Sequence, residues 1–447
     1  MLRSTVLIAL TLAAAPLPAQ APLSLGEAFR RADAAAYANR IARGNARAQG
    51  AQAIAALQGI LPTIRAEGGV VRTDNPLAAF GFTLQQRGVS PASFSPASLN
   101  YPSAVSNWSG GLVAEVPIIN ADAWFGRAAA QSAAAATDAG SGWTGQTTRV
   151  DVARAYFGAI LAREQLQTLE SATTAGKAHL RQAESMVTNG LATRSDALLA
   201  SVQSGQLEAQ LIGGRGNAGI ARAQLALLLG QPGDTTFTLP DSLPSAARIR
   251  QLVTAATADS GFSRLDVSAA RLGLEAAQRD LRRANARYLP RLNGFGRTDW
   301  NSADKLFAGK SSYTIGVIAS WSPFAGASEI AGRRASAGRA DAARAMAEAA
   351  EAGALLEQQV TRTQLDVAIA QLGIAEIAVT QSAEAHRMIA RKYAGGLATI
   401  AELLSAAALE TQTRLGHSDA RYQVIIADAR ARHAAGRDLL ALTVLEN

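Results

Sequence analysis

Two segments of the chain, NGLATRSDALLA (Asn189–Ala200) and GGLATIAELLSA (Gly395–Ala406), are near copies of each other. Each joins two long stretches rich in Ala, Leu and Gln, whose apolar residues recur at the three- and four-residue spacing of an amphipathic helix. Gly190 and Gly396 can adopt positive φ without steric cost, so each can end a helix. The sequence therefore predicts an internal duplication with one helical hairpin in each half.

The residues that follow each glycine predict the start of the second helix. They are Leu191, Thr193 and Asp196 in the first tip (188–196) and Leu397, Thr399 and Glu402 in the second (394–402). Each threonine stands at an N-cap, and each acid stands three residues later, where its carboxylate reaches back to a free backbone N–H in a capping box. The acids have two compatible interpretations. They only cap the helices, or they also place negative charge at an entrance, where rings of carboxylates attract cations.

The N-terminal sequence MLRSTVLIALTLAAAPLPAQA has one basic residue, a short apolar run and small residues near its end, a pattern typical of a secretory signal peptide. We predict cleavage after Ala19, with Ala21 as the alternative. The chain has no cysteine, which excludes disulfides and thiolate metal sites. Beyond the signal, no segment approaches the roughly 18–20 apolar residues of a membrane-spanning helix. A crossing of a membrane would therefore use strands.

The chain of 447 residues carries a formal net charge of +8, which falls to about +7 without the Arg3 of the signal. A basic balance can indicate nucleic-acid binding. Here the basic residues are scattered through the helical stretches and aromatic residues make up only 5% of the chain, so the pattern lacks the clustered Lys/Arg and stacking aromatics of a nucleic-acid surface. We interpret the charge as solvated helix faces and expect no nucleic-acid partner.

One plan of helix, two strands, long helix, tip and helix occurs twice. The first repeat is predicted at 22–230, the linker at 231–244 and the second repeat at 245–447, with strands at 62–72, 106–117, 290–300 and 311–322. A loop of about thirty residues, Arg72–Ala104, is long enough to suggest an exposed functional segment. The second repeat is expected to start with a helix that breaks near Gly261 and to end with a helix that reaches Leu442. Each long helix, of roughly 65 residues, would span on the order of 100 Å.

The strands are about ten residues long, which suits a tilted crossing of an outer membrane. Their alternation places apolar residues on one face, and the candidates for a membrane-facing surface are Trp108, Leu112, Tyr313, Ile315, Val317 and Trp321. Four strands cannot close a barrel, and an open edge in lipid leaves N–H and C=O groups without partners. A barrel built from these strands must therefore be shared between protomers.

Further motifs accompany the paired GLAT tips. They are the Leu-Pro pairs before the strand pairs at Pro62 and Pro290, the VPI and SPF segments after them at Pro117 and Pro323, the VARAYF helix around Tyr156 and the LLLG helix end at Gly230. With these motifs the chain resembles the TolC family of outer-membrane efflux ducts over essentially its whole mature length. The resemblance implies a mainly α fold with a small β part. Duplicated long coiled-coil hairpins and four strands per protomer would contribute to a shared 12-stranded β-barrel in a homotrimer.

The same resemblance implies a location and partners. The barrel would lie among the lipids of the outer membrane of a Gram-negative-type bacterium, and a helical tunnel would continue it through the periplasm. The tips would form the entrance and dock onto a periplasmic adaptor (membrane fusion) protein of an inner-membrane pump, with the Gly-Leu pairs of both tips at adaptor-contacting positions. The two tip acids match acidic positions near the entrance, but Ser405 replaces a second acid that some members carry.

We therefore predict a passive export duct of a tripartite efflux or type I secretion system, with no catalytic, cofactor-binding or metal-binding residues. The alternative hypothesis is a periplasmic coiled-coil scaffold without a pore. The stretch Gly214–Gly219 matches G-x-G-x-x-G, but a helical pattern precedes it where a dinucleotide site needs a strand. Four histidines have no partner at ligand spacing and are interpreted as helix-surface residues rather than metal ligands. They are His179, His386, His417 and His433.

Overall fold

Helices form most of the chain. The computed structural model describes residues 22–256 and 264–446. The predicted signal peptide and the predicted break near Gly261 lie outside the described residues. The α-helices are α1 (Leu25–Ala35), α2 (Tyr37–Ala55), α3 (Pro76–Gln85), α4 (Pro96–Asn100), α5 (Ala121–Thr188), α6 (Arg194–Leu228), α7 (Ala246–Ala256), α8 (Leu265–Ala286), α9 (Ser328–Ala394) and α10 (Ile400–Ala434). Short 3₁₀ helices lie at Ala56–Gly59, Pro91–Phe94 and Leu439–Glu446.

Four strands form one antiparallel sheet in the order β1-β2-β3-β4. They are β1 (Thr63–Thr73), β2 (Val105–Ile119), β3 (Arg291–Ser302) and β4 (Lys310–Ser320). Two strands come from each half of the sequence, and β1 and β4 are the edges of the sheet. The observed fold class is the predicted one, a mainly α chain with four antiparallel strands.

The described residues divide into two units. One unit contains the residues up to Arg40 together with residues 144–256 and 357–446. The other contains Ile41–Trp143 and Arg264–Leu356. The hairpin tips belong to the first unit, whereas the whole sheet belongs to the second.

The first unit is held by an apolar core to which helices of both repeats and the linker contribute. Tyr156 is fully buried in this core, and its hydroxyl donates to the carbonyl of Leu23 at 2.8 Å. Glu164 on α5 pairs with Arg421 on α10 and accepts the N–H of the buried linker residue Leu243 at 3.0 Å. Because both carboxylate oxygens are used, one acid ties the linker to helices of both repeats.

The segment predicted as the loop Arg72–Ala104 contains α3, a 3₁₀ turn and α4. The prediction was wrong because the residues that suggested a loop start helices here. Asn75 caps α3 with Pro76 in the first turn, and Ser95 caps α4 in the same way. The Gln86 side chain then anchors the segment by donating to two acceptors on β2 at 2.8 and 2.9 Å.

The last helix, α10, ends at Ala434 and does not reach Leu442 as predicted. Gly436 has a φ of +68° and follows the helix end, which is the usual place for a left-handed glycine. The apolar residues beyond it form the 3₁₀ segment Leu439–Glu446, in which Leu439 is buried in the core of the first unit. Apolar spacing continues past the helix end, so periodicity overestimated the length of the helix.

The Gly-rich stretch 213–219 lies inside α6, which stays helical through it. The residues before the G-x-G-x-x-G motif are also helical, so the strand that a dinucleotide site requires is replaced by a helix. Among the described residues, no helix combines the length and apolar character needed to span a membrane.

Candidate functional site at the paired helical tips

The first tip closes α5 and opens α6. Gly190 has a φ of +73°, and the N–H of Leu191 reaches back to the carbonyl of Met186 at 2.8 Å, as in a Schellman turn. Thr193 has extended backbone angles (φ −89°, ψ 156°), and its hydroxyl oxygen accepts the N–H of Asp196 at 3.3 Å. In return, the Asp196 carboxylate accepts the N–H of Thr193 at 2.9 Å.

The second tip repeats this geometry between α9 and α10. Gly396 has a φ of +72°, and the N–H of Leu397 donates to the carbonyl of Lys392 at 2.8 Å. The hydroxyl of Thr399 accepts the N–H of Glu402 at 3.3 Å, and the Glu402 carboxylate accepts the N–H of Thr399 at 2.7 Å. The capping boxes predicted for both tips are therefore confirmed.

The two tips pack against each other through a small apolar cluster. Ala183 on α5 and Ala200 on α6 contribute the side of the first tip. Tyr393, Ile400 and Leu403 contribute the side of the second, and each of the five side chains is at most 4% exposed. The short alanine side chains leave room for the larger ones. The sequence predicted each tip but not this contact, because it joins residues about two hundred positions apart.

Other apolar side chains stand exposed at the tips. Leu191 is 74% exposed and Leu397 is 81% exposed, at equivalent places in the two copies. Beside the second tip lies a groove of about 430 Å³, lined by Ala385, Ile389, Ala401, Glu402, Ser405, Ala406 and Leu409. Contiguous apolar surfaces rimmed by polar residues are typical of sites that bind other proteins.

The tip acids are surrounded by hydrogen-bond donors. The backbone N–H and then the hydroxyl of Thr193 hold the pKa of Asp196 below its ordinary value, and Thr399 lowers the pKa of Glu402 in the same way. Burial raises the pKa of the Tyr393 phenol, and the nearby charge of Asp196 raises it further. Both acids therefore carry a negative charge at neutral pH beside an apolar contact.

The sheet has an apolar face, and the strand register decides which residues share it. Leu112 pairs with Thr298, which pairs with Tyr313, so these three side chains project from the same face. The same register adds Ile64, Val70, Trp108, Ala114, Val116, Ile315 and Val317 to this face. On β4, Tyr313 and Ile315 are 81% and 78% exposed.

The opposite face carries most of the charged side chains of the sheet, interspersed with apolar ones such as Val71 and Ile318. It carries the ion pairs Arg65–Glu115 at 2.6 Å and Arg297–Asp299 at 2.7 Å. Trp321, predicted at the end of the fourth strand, lies just beyond β4, and its indole N–H donates to the carbonyl of Tyr288 at 3.1 Å. A strand with two different environments is what the alternation in the sequence indicated.

The family model described as "Outer membrane efflux protein" matches residues 40–231 and 262–437, which is most of the chain. The chain belongs to the outer membrane efflux protein family. The match consists of two segments, in agreement with the internal duplication, and each segment includes one tip.

Solved structures of this family's fold are similar over nearly the whole chain. The outer membrane protein VceC from Vibrio cholerae has a TM-score of 0.76 at 20% identity, with 92% of this chain and 96% of that chain covered. A membrane protein from Pseudomonas aeruginosa has a TM-score of 0.77 at 20% identity, with 92% of each chain covered. The outer membrane channel CmeC from Campylobacter jejuni has a TM-score of 0.76 at 15% identity, with 92% and 85% covered. No curated protein sequence matches significantly.

For this outer membrane efflux protein, the buried residues of the second tip, namely Tyr393, Ile400 and Leu403, were missed by the sequence interpretation. Tyr393 and Leu403 are buried in the contact between the tips, although their copies in the first repeat are not part of the same cluster. Tyr393 stands three residues before Gly396, where a large aromatic residue at a helix end is a signal that could have been noticed. Leu403 has no distinguishing neighbour in the sequence.

Proposed function

We propose that this outer membrane efflux protein is the outer-membrane duct of a tripartite efflux or type I secretion system. Substrates would be delivered by an inner-membrane pump through a periplasmic adaptor and would leave passively, with the pump supplying the energy. The observation that carries the proposal is the division of the sheet into an apolar face, exposed on β4, and a face with two ion pairs. An apolar face in lipid and a polar face toward water is the arrangement of a membrane-spanning strand.

The two edges of the sheet support assembly with other protomers. Along β1 and β4 the outward N–H and C=O groups have no strand partner among the residues that the structure describes. In lipid such groups cost several kcal/mol each, so an isolated sheet cannot remain in the membrane. Pairing β4 of one protomer with β1 of the next removes both edges, and three protomers give the 12-stranded barrel that the family resemblance implies.

The two helical tips are the proposed entrance of the duct and its contact with the adaptor. Leu191 and Leu397 are exposed at equivalent places, and we assign them to the contact with the adaptor. The capping-box acids would line the entrance, and the contact between the two tips would hold it closed. CmeC, which is similar to this chain in fold, is described as an outer membrane channel, and this description supports the duct.

The location can be tested with the full chain expressed in a Gram-negative host. We expect the protein in the outer-membrane fraction as trimers that dissociate on heating. A lipid-soluble photoreactive probe should label Tyr313 on β4 and spare Thr314, the neighbour on the other face. A periplasmic monomer without labelling would reject the duct and favour the alternative, a coiled-coil scaffold without a pore.

The partners can be tested separately. Genes that neighbour the coding sequence should include an adaptor and a pump, and the class of pump distinguishes efflux from type I secretion. Because the chain has no cysteine, Leu191→Cys and Leu397→Cys are clean attachment points for a cross-linker. Both should cross-link to that adaptor, whereas Val71→Cys on the sheet should not. Equal cross-linking from all three positions would contradict docking at the tips.

A further inference from the structure

Two histidines that are far apart in the sequence lie next to each other in the first unit. His179 on α5 and His386 on α9 have ring centroids 5.8 Å apart, with the rings nearly perpendicular at 75°. They come from different repeats and lie eleven and ten residues before the glycines of their tips. The interpretation of each as an independent helix-surface residue was therefore wrong for this pair, because the contact depends on the packing of the hairpins.

A carboxylate fixes the orientation of one ring. Glu410 on α10 hydrogen-bonds to Nδ1 of His386 at 2.5 Å and also accepts from the Arg414 guanidinium at 2.6 and 2.8 Å. A carboxylate paired with arginine can only accept, so the proton of the neutral imidazole lies on Nδ1. The lone pair of His386 is thereby left on Nε2.

Both Nε2 atoms lack a partner. They are buried, and neither forms a hydrogen bond with any of the described residues. The two residues line a cavity of about 490 Å³ that lies among α5, α6, α9 and α10, together with Glu164, Gln203 and Thr411. Buried nitrogen atoms without a partner are uncommon in native proteins, so two of them on neighbouring rings call for an explanation.

We propose that His179 and His386 bind a divalent transition-metal cation through their Nε2 atoms, with Glu410 orienting the second ring from behind. With metal–nitrogen bonds of about 2.0–2.1 Å, one ion shared by two imidazoles holds the ring centroids at most about 6.4 Å apart, and the observed separation satisfies this limit. The carboxylate–histidine–metal arrangement is the usual second shell of a metal-bound imidazole.

The site differs from a structural metal centre in the number of protein ligands. Groups of three or more His, Cys, Asp or Glu residues able to hold a metal do not occur in the described part of the chain. Water would therefore complete the coordination, and the affinity would be lower than that of a four-ligand site. Because the two rings come from α5 and α9, a bound ion would link the first hairpin to the second near their tips.

The test is a Zn²⁺ titration by calorimetry of the full-length trimer, purified in detergent without a histidine tag. We expect one saturable site per protomer. His179→Gln and His386→Gln should each weaken it at least 100-fold, and Glu410→Gln by about 10-fold to 100-fold through loss of the second shell. His433→Gln is the matched control, since His433 lies outside the cavity beside Thr147, and it should bind as the unmodified protein does.

A second measurement needs no variant. The X-ray absorption spectrum of the Zn²⁺-loaded protein should show two imidazole ligands, with oxygen ligands completing the shell. A trimer that takes up no Zn²⁺ at a saturable site would overturn the proposal. Equal binding by His179→Gln and by the unmodified protein would overturn it as well.

Discussion

At the residue scale, Asp196 and Glu402 each combine a helix cap with a negative charge, and amide substitutions separate the two roles. Asp196→Asn with Glu402→Gln keeps an acceptor oxygen for the capped N–H but removes the charge. In a trimer, six such carboxylates near one axis would attract cations. We therefore expect the double variant to lower the cation selectivity of single channels in planar bilayers.

The matching control removes the caps and keeps the charges. Thr193→Ala with Thr399→Ala deletes the hydroxyl groups that accept the N–H of the acids, at a cost of about 1 kcal/mol per cap. The cation selectivity of this variant should equal that of the unmodified protein. Because the caps are lost, backbone hydrogen exchange in the first turns of α6 and α10 should become about 5-fold faster. If the amide variants also kept their selectivity, the acids would be caps only.

The lowered pKa values of these acids predict a pH dependence of tip order. An acid with a lowered pKa stabilises the folded state when it is ionised, and this contribution is lost as the pH falls through the lowered value. A nitroxide on Leu198→Cys, in the first turns of α6, should therefore keep its mobility from pH 8 to pH 5 and become more mobile only below about pH 4. A change near pH 6 would point to histidine instead.

At the element scale, the contact between the tips depends on a few buried side chains. Leu403 is 1% exposed in the cluster, and Leu403→Ala removes three of its carbon atoms from that contact. We expect local destabilisation at the low end of the range for buried leucine, about 2 kcal/mol, and therefore roughly 30-fold faster hydrogen exchange around Gly396. Leu397→Ala, at a side chain that is 81% exposed, is the control and should change exchange by less than about 3-fold.

Neighbouring residues on β4 test the two faces of the sheet. Ile315→Lys places a charge on the apolar face, which costs about 2–4 kcal/mol at the middle of a bilayer, whereas Thr314→Lys places it on the opposite face. We expect Ile315→Lys to reduce the yield of heat-dissociable trimers in the outer membrane and Thr314→Lys to leave it unchanged. Equal yields would mean that the apolar face does not meet lipid.

The elements show what the sequence could predict. The strands and tips follow from local signals, namely period-two alternation and glycine-threonine-acid spacing, and their observed positions lie within a few residues of the predicted ones. The helices α3 and α4 were missed because proline and serine start helices as well as loops. The pairing of His179 with His386 and of the two tips depends on contacts across the duplication, which no local pattern encodes.

At the scale of the whole molecule, the duplication supplies each functional part twice. The sheet takes two strands from each repeat, and the tip contact takes one hairpin from each. Because the repeats have diverged, their equivalent positions now differ. Only the second tip supplies an aromatic residue, Tyr393, to the contact between the tips. Glu410 on α10 has Ser204 as its counterpart on α6. Three protomers would therefore surround an axis with two alternating kinds of hairpin.

Assembly of this chain into a pore can be measured directly as conductance. Purified full-length trimers should be added to one side of a planar lipid bilayer, with trimers denatured by heat as the control. We expect discrete, long-lived conductance steps of uniform size that appear only with the native trimers. Trimers that come from the outer-membrane fraction and insert into the bilayer without producing conductance steps would contradict the proposed pore.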